Sequence, residues 1–144
     1  MEISIAAVPT QWVAYRSATS TLQCLGNNIQ STLGPIYGMS GVSGTPYARY
    51  LEWRDVDCDF QAGVLLRARV HPQGDISVDL YNACKAVRVA FRGTYEDRYQ
   101  AHEAARAHAL ENGMEVGGPL WEVFDGPPDA EGVAKVVIYL PLVT

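Results

Sequence analysis

Apolar residues Leu22, Leu25, Ile29 and Leu33 recur at steps of three and four, which lines them on one face of a helical period. This predicts an amphipathic helix between Ser20 and Gly34. Ser20 with Gln23 has capping-box spacing at its start, and Gly34-Pro35 supplies the stop. A second helical pattern opens at a Thr94 cap and runs through YEDRYQAHEAARAHALEN to Gly113, with Glu96 and Asp97 at its positive end. Its many alanines predict close packing against a sheet. Elsewhere the period is two. Val87-Arg88-Val89-Ala90-Phe91-Arg92 alternates large apolar with small or basic side chains, as a strand with one buried face does. The run Ala134-Lys135-Val136-Val137-Ile138-Tyr139-Leu140 is β-branched and apolar on both faces, which predicts a central strand.

These elements fall into an internal repeat. Val13-Ala14-Tyr15-Arg16-Ser17 recurs as Val89-Ala90-Phe91-Arg92-Gly93, and each copy leads into a helical pattern with a glycine stop. Gly44-Thr45-Pro46 then opens Tyr47-Ala48-Arg49-Tyr50-Leu51, as Gly117-Gly118-Pro119 opens Leu120-Trp121-Glu122-Val123-Phe124. β-rich segments at 60–68 and 133–140 close the halves. The expected fold is α+β: two tandem βαββ modules related by a pseudo-twofold, with antiparallel sheets, two helices and a central cleft. GPIYGMSGVSG and DGPPDAEG read as loops, and residues 71–75 as the turn joining the halves.

Length and charge narrow the function classes. The 144 residues suit one domain. Eleven Lys and Arg against sixteen Asp and Glu, with no basic run, argue against a nucleic-acid partner. No apolar run approaches a membrane span and the start lacks a secretory signal, so a cytoplasmic location is expected. Cys24, Cys58 and Cys84 have neither disulfide-framework nor zinc-ligand spacing and read as small buried residues.

Familiar catalytic motifs are missing, and neither a metal nor a cofactor is expected. His71 falls in a turn, while His102 and His108 sit on different faces of one helix and read as solvated or packing residues. Glu96, Asp97, Arg98, Glu103, Arg106 and Glu111 read as an exposed helical face. Glu122 differs, because strand alternation puts it on the same face as Leu120 and Phe124 and aims a carboxylate at an apolar surface. Such a group needs a cationic partner or serves as a proton donor. The repeat nominates Arg49 as that partner, and a ligand-facing Glu122 is the competing reading. Tyr37, Tyr47, Tyr50, Trp53, Phe60, Trp121, Phe124 and Tyr139 cluster around the same strands, and several of them could wall a pocket for an aromatic or cationic molecule.

With these features the chain resembles the GyrI-like small-molecule-binding family, also met as the effector-binding domain of AraC- and MerR-type transcription regulators. The resemblance rests on the two halves, the VAFRG-to-helix step, the G-x-P-x-W-E-V-F strand, Pro127-Pro128 and IYLPL at 138–142. It implies one ligand-binding domain over 1–144, with halves of about 1–72 and 73–144, enclosing an apolar cavity for organic compounds that are often cationic. Glu122 would meet the cation, with Trp121, Tyr47, Tyr50, Trp53, Tyr37, Arg49, Phe124 and Tyr139 around it. Some stand-alone relatives hydrolyse cyclopropane-bearing compounds, an activity that would fall on Glu122; inhibition of a topoisomerase is a further alternative. The regulators place a helix-turn-helix ahead of this unit, and no part of this sequence reads as one, so direct DNA binding is not expected. A monomer or a homodimer fits an exposed strand edge.

Overall fold

The structure, a computed structural model, describes residues 1–39, 42 and 44–143. In chain order the elements are β1 (Glu2–Val8), β2 (Gln11–Thr21), α1 (Leu25–Tyr37), β3 (Pro46–Trp53), β4 (Asp57–Leu66), β5 (Ser77–Tyr81), β6 (Cys84–Thr94), a 3₁₀ turn (Glu96–Arg98), α2 (Tyr99–Glu111), β7 (Trp121–Phe124) and β8 (Val133–Leu142). They form two compact units: a contiguous one, Thr10–Asn82, and a discontinuous one, Met1–Pro9 with Ala83–Thr144. The fold is α+β, with antiparallel strand pairing and two α-helices.

In the contiguous unit the strands lie in the order β3-β4-β2-β5, and α1 covers one face. Ala14, Val64 and Leu66 from that face pack with Ile36, Met39 and Ile76. The discontinuous unit repeats the plan as β7-β8-β6-β1, with α2 on one face. Its β8 is central, as its apolar sequence requires, and Val89, Ile138 and Leu140 are fully buried. Each such side chain contributes about 1.5–3 kcal/mol by leaving water. Ala101, Ala105 and Ala109 form the buried stripe of α2, the narrow face its composition predicts.

Each βαββ module carries a fourth strand that the alternation pattern does not reveal. β1 precedes β2 in sequence yet pairs with β6, and β5 precedes β6 yet pairs with β2. The 71–75 turn therefore leads back into the contiguous unit, and the crossing between units comes after Tyr81.

The helix ends differ from expectation. β2 runs on to Thr21, so Ser20 is a strand residue and its hydroxyl bonds the Thr21 carbonyl and accepts from the Asn28 amide. The Ser20–Gln23 capping box is absent, and α1 begins at Leu25 with the Cys24 N–H donating to Thr21 Oγ1. Pro35 does not end the helix either. It sits in the last turn, where its missing N–H removes one bond, and α1 continues to Tyr37. The helix thus takes up the start of the loop expected at 34–44; Ser40, Gly41 and Ser43 lie outside the described residues. Thr94 does cap its segment, accepting from the Asp97 N–H, but the turn it starts is 3₁₀. Gly113, at φ +64°, ends α2 in the left-handed conformation that favours glycine.

Candidate functional site

Directly paired residues of antiparallel strands point to the same face of a sheet, so register sorts the side chains. In the discontinuous unit Glu122 pairs with Ile138 and Phe124 with Val136, all toward α2. Trp121 pairs with Tyr139 and Val123 with Val137 on the face α2 leaves uncovered. In the contiguous unit Ala48 and Tyr50 pair with Ala62 and Phe60 toward α1, while Tyr47 and Arg49 pair with Gly63 and Gln61 on the other face. Arg49 and Glu122 therefore occupy opposite faces of their sheets. The repeat aligns them by counting from Pro46 and Pro119, but the strands are offset by one residue, and a one-residue slip exchanges the faces.

Glu122 is fully buried and held by two residues from the helical segment above it. Arg98 Nε donates to Oε2 at 3.1 Å, and His102 Nε2 bonds Oε1. The same guanidinium donates to the Tyr95 carbonyl at 2.8 Å and to Tyr99 Oη at 3.1 Å, and lies over both rings at 3.8 and 4.4 Å. Tyr99 meets His102 edge-on at 5.3 Å. Burial pushes the Glu122 carboxyl up, but the His102 hydrogen bond and the Arg98 charge outweigh it and hold the group below the ordinary carboxylate range. Glu122 is thus an ionised, charge-balanced anchor between β7 and α2, not the raised-pKa proton donor that an apolar setting alone would make.

Arg98 and His102 are the residues that motif reading passes over. Arg98 is 2% exposed, not part of a solvated face, and His102 is a bonded partner. Arg49 instead places its guanidinium 4.5 Å above the Tyr81 ring. Tyr81 shares a hydrogen bond with Tyr47 Oη at 2.8 Å and donates to Gln61 at 3.0 Å, on the face of the contiguous unit that α1 leaves uncovered. Burial raises both phenols above their ordinary range.

The remaining expected residues are dispersed. Trp121 and Tyr139 stack at 5.1 Å, tilted by 35°. Tyr50, buried toward α1, meets Trp53 edge-on at 5.3 Å, and Trp53 at the end of β3 is exposed. Phe124 packs near Tyr95 on the α2 side. Tyr37, in the last residue of α1, is exposed.

A groove of about 410 Å³ opens on the discontinuous unit, reached by Ala90 and Val137 from the uncovered face and by Arg88, Arg92 and Lys135. Arg88, Tyr139 and Trp121 form one cross-strand row on the same sheet face. Among the described residues no group of His, Cys, Asp and Glu is arranged to hold a metal, and no helix is long and apolar enough to cross a membrane.

No family model and no curated protein matches the chain. Solved structures do. The EcmrR C-terminal domain superposes with a TM-score of 0.76 at 16% identity, over 99% of this chain and 98% of that one. In the EcmrR–DNA complex the score is 0.75 at 14% identity over 98% of this chain, which spans 57% of that chain. SAV2435 bound to tetraphenylphosphonium matches at 0.62 and 14% identity, over 99% of this chain and 94% of that one. A hydrolase from Listeria innocua matches at 0.68 and 10% identity, over 99% and 92%. The chain therefore has the fold of the GyrI-like domains.

Proposed function

We propose that this chain is a small-molecule-binding domain of the effector type, and that a bulky aromatic compound lies in the groove of the discontinuous unit. The observation that carries this reading is the groove itself: Ala90 and Val137 form an apolar floor on the sheet face opposite α2, and the Trp121–Tyr139 pair stands in a neighbouring cross-strand row of that face. Flat apolar floors with aromatic side chains nearby suit ring systems. A protein of the same fold, SAV2435, has been solved with tetraphenylphosphonium, a compound with four aromatic rings. Glu122 acts at one remove, fixing β7 and so the Trp121 backbone against α2.

Titration with a panel of aromatic compounds, followed by calorimetry, tests this. Saturable binding is expected, and Ala90→Leu, which fills the floor, should weaken it at least about tenfold. A panel without saturable binding, or an unchanged affinity in Ala90→Leu, overturns the reading.

A hydrolase reading draws on the Glu122–His102 pair and on the Listeria innocua hydrolase of the same fold. Glu122 would then act as a base with His102, not as an acid, because its carboxyl is held ionised. Turnover of an electrophilic ester panel, lost in Glu122→Gln with binding retained, would establish it.

A further inference from the structure

The charge of the ligand follows from what surrounds the groove. The chain as a whole is acidic, at −5, yet three of its eleven basic side chains gather here. Arg88 stands at one end beside Tyr139, and Arg92 and Lys135 are cross-strand partners at the other. Arg88 and Arg92 are four residues apart on one face of β6, hence about 13 Å. Glu2, the cross-strand partner of Ala90, and Asp125 also line the groove, but among the described residues none of the three cations makes an ion pair. Among the described residues, the only fully buried carboxylate of the unit, Glu122, faces α2 and already has its countercharge in Arg98.

We propose that the groove selects an organic anion: an apolar ring body lying on Ala90 and Val137, with a carboxylate, sulfonate or phosphate held by the Arg92–Lys135 pair at one end. Guanidinium groups match such oxyanions with paired N–H donors, and a cationic ring compound would meet repulsion at both ends. This rests on the binding reading above and fixes the ligand class for the same site.

Three pyrene probes with one ring body separate the two ideas: pyrenecarboxylate, pyrenemethanol and pyrenemethylammonium. The expected order of affinity is anion, neutral, cation, with about tenfold or more between the first and last. Arg92→Gln combined with Lys135→Gln changes two exposed side chains, so the fold is kept. That variant should weaken pyrenecarboxylate about tenfold and leave pyrenemethanol within about twofold. Equal affinities for all three, a preference for the ammonium, or a variant that binds the carboxylate as before overturns the anion assignment alone. If none of the three binds, the binding reading falls with it.

Discussion

Arg98 meets Glu122 inside the discontinuous unit, with the guanidinium side chain 2% exposed and the carboxylate side chain fully buried. Removing one member of such a pair leaves an uncompensated charge in the interior. Arg98→Met is therefore expected to destabilise the protein by about 3–5 kcal/mol. Adding Glu122→Gln to that variant should recover part of the loss, because the orphaned charge is gone. Urea denaturation of the two single variants and the double variant reads both effects.

The lowered Glu122 pKa has a definite pH signature. The folded carboxyl is more acidic than the same group in the unfolded chain, whose value is about 4.3. Its contribution to stability is fully present above that unfolded value and is lost as pH falls through the lower folded value. Thermal midpoints measured from pH 7 downwards should drop more steeply in the native protein than in Glu122→Gln. Parallel acid limbs would show that the carboxyl is not held ionised by its partners.

Gly63 sits where β2, β3 and β4 run together, paired with Tyr15 and Tyr47. A Cβ there would fall 2.0 Å from the Ala14 carbonyl oxygen and 2.8 Å from the Tyr15 Cα. Backbone atoms in mid-sheet cannot move aside. Gly63→Ala should cost about 3 kcal/mol or more, visible as a lowered urea midpoint. Gly34→Ala, with nothing within 4 Å of the added carbon and a helical position to favour it, should instead raise the midpoint slightly.

The cysteines separate by access. Cys24 is exposed, Cys84 is half-buried and Cys58 is fully buried, with burial pushing its thiol up to about 11. Brief alkylation of the native protein at neutral pH should modify Cys24 first and leave Cys58 untouched until denaturant is added. Mass spectrometry of the labelled peptides gives the order.

Periodicity carried most of the architecture. The alternation at 87–92 and the β-branched run at 134–140 are strands in mid-sheet, and the repeat marks two modules of one topology. β1 and β5 escaped because each lies on the edge of its own module and is largely exposed, so neither shows a buried face. The site was half legible. Glu122 was visible as a carboxylate aimed at an apolar surface, but which surface depends on strand register, and a one-residue offset between the copies hid it. Its true partners were also written in the sequence. Arg98 and His102 fall at i and i+4, in phase with Ala105 and Ala109, on the stripe that meets the sheet. Reading charge before phase sent them to solvent.

The exchange of first strands sets the order in which the protein can assemble. Synthesis delivers β1 before anything it pairs with, since β6 begins only at Cys84, whereas Thr10–Asn82 contains every strand of its own sheet. On the ribosome the contiguous unit can close while β1, with Ile3 and Ile5 half-exposed even in the finished sheet, still trails unpaired from the nascent chain. The discontinuous unit must then retrieve a segment made some eighty residues earlier, a long-range closure of the kind that slows folding.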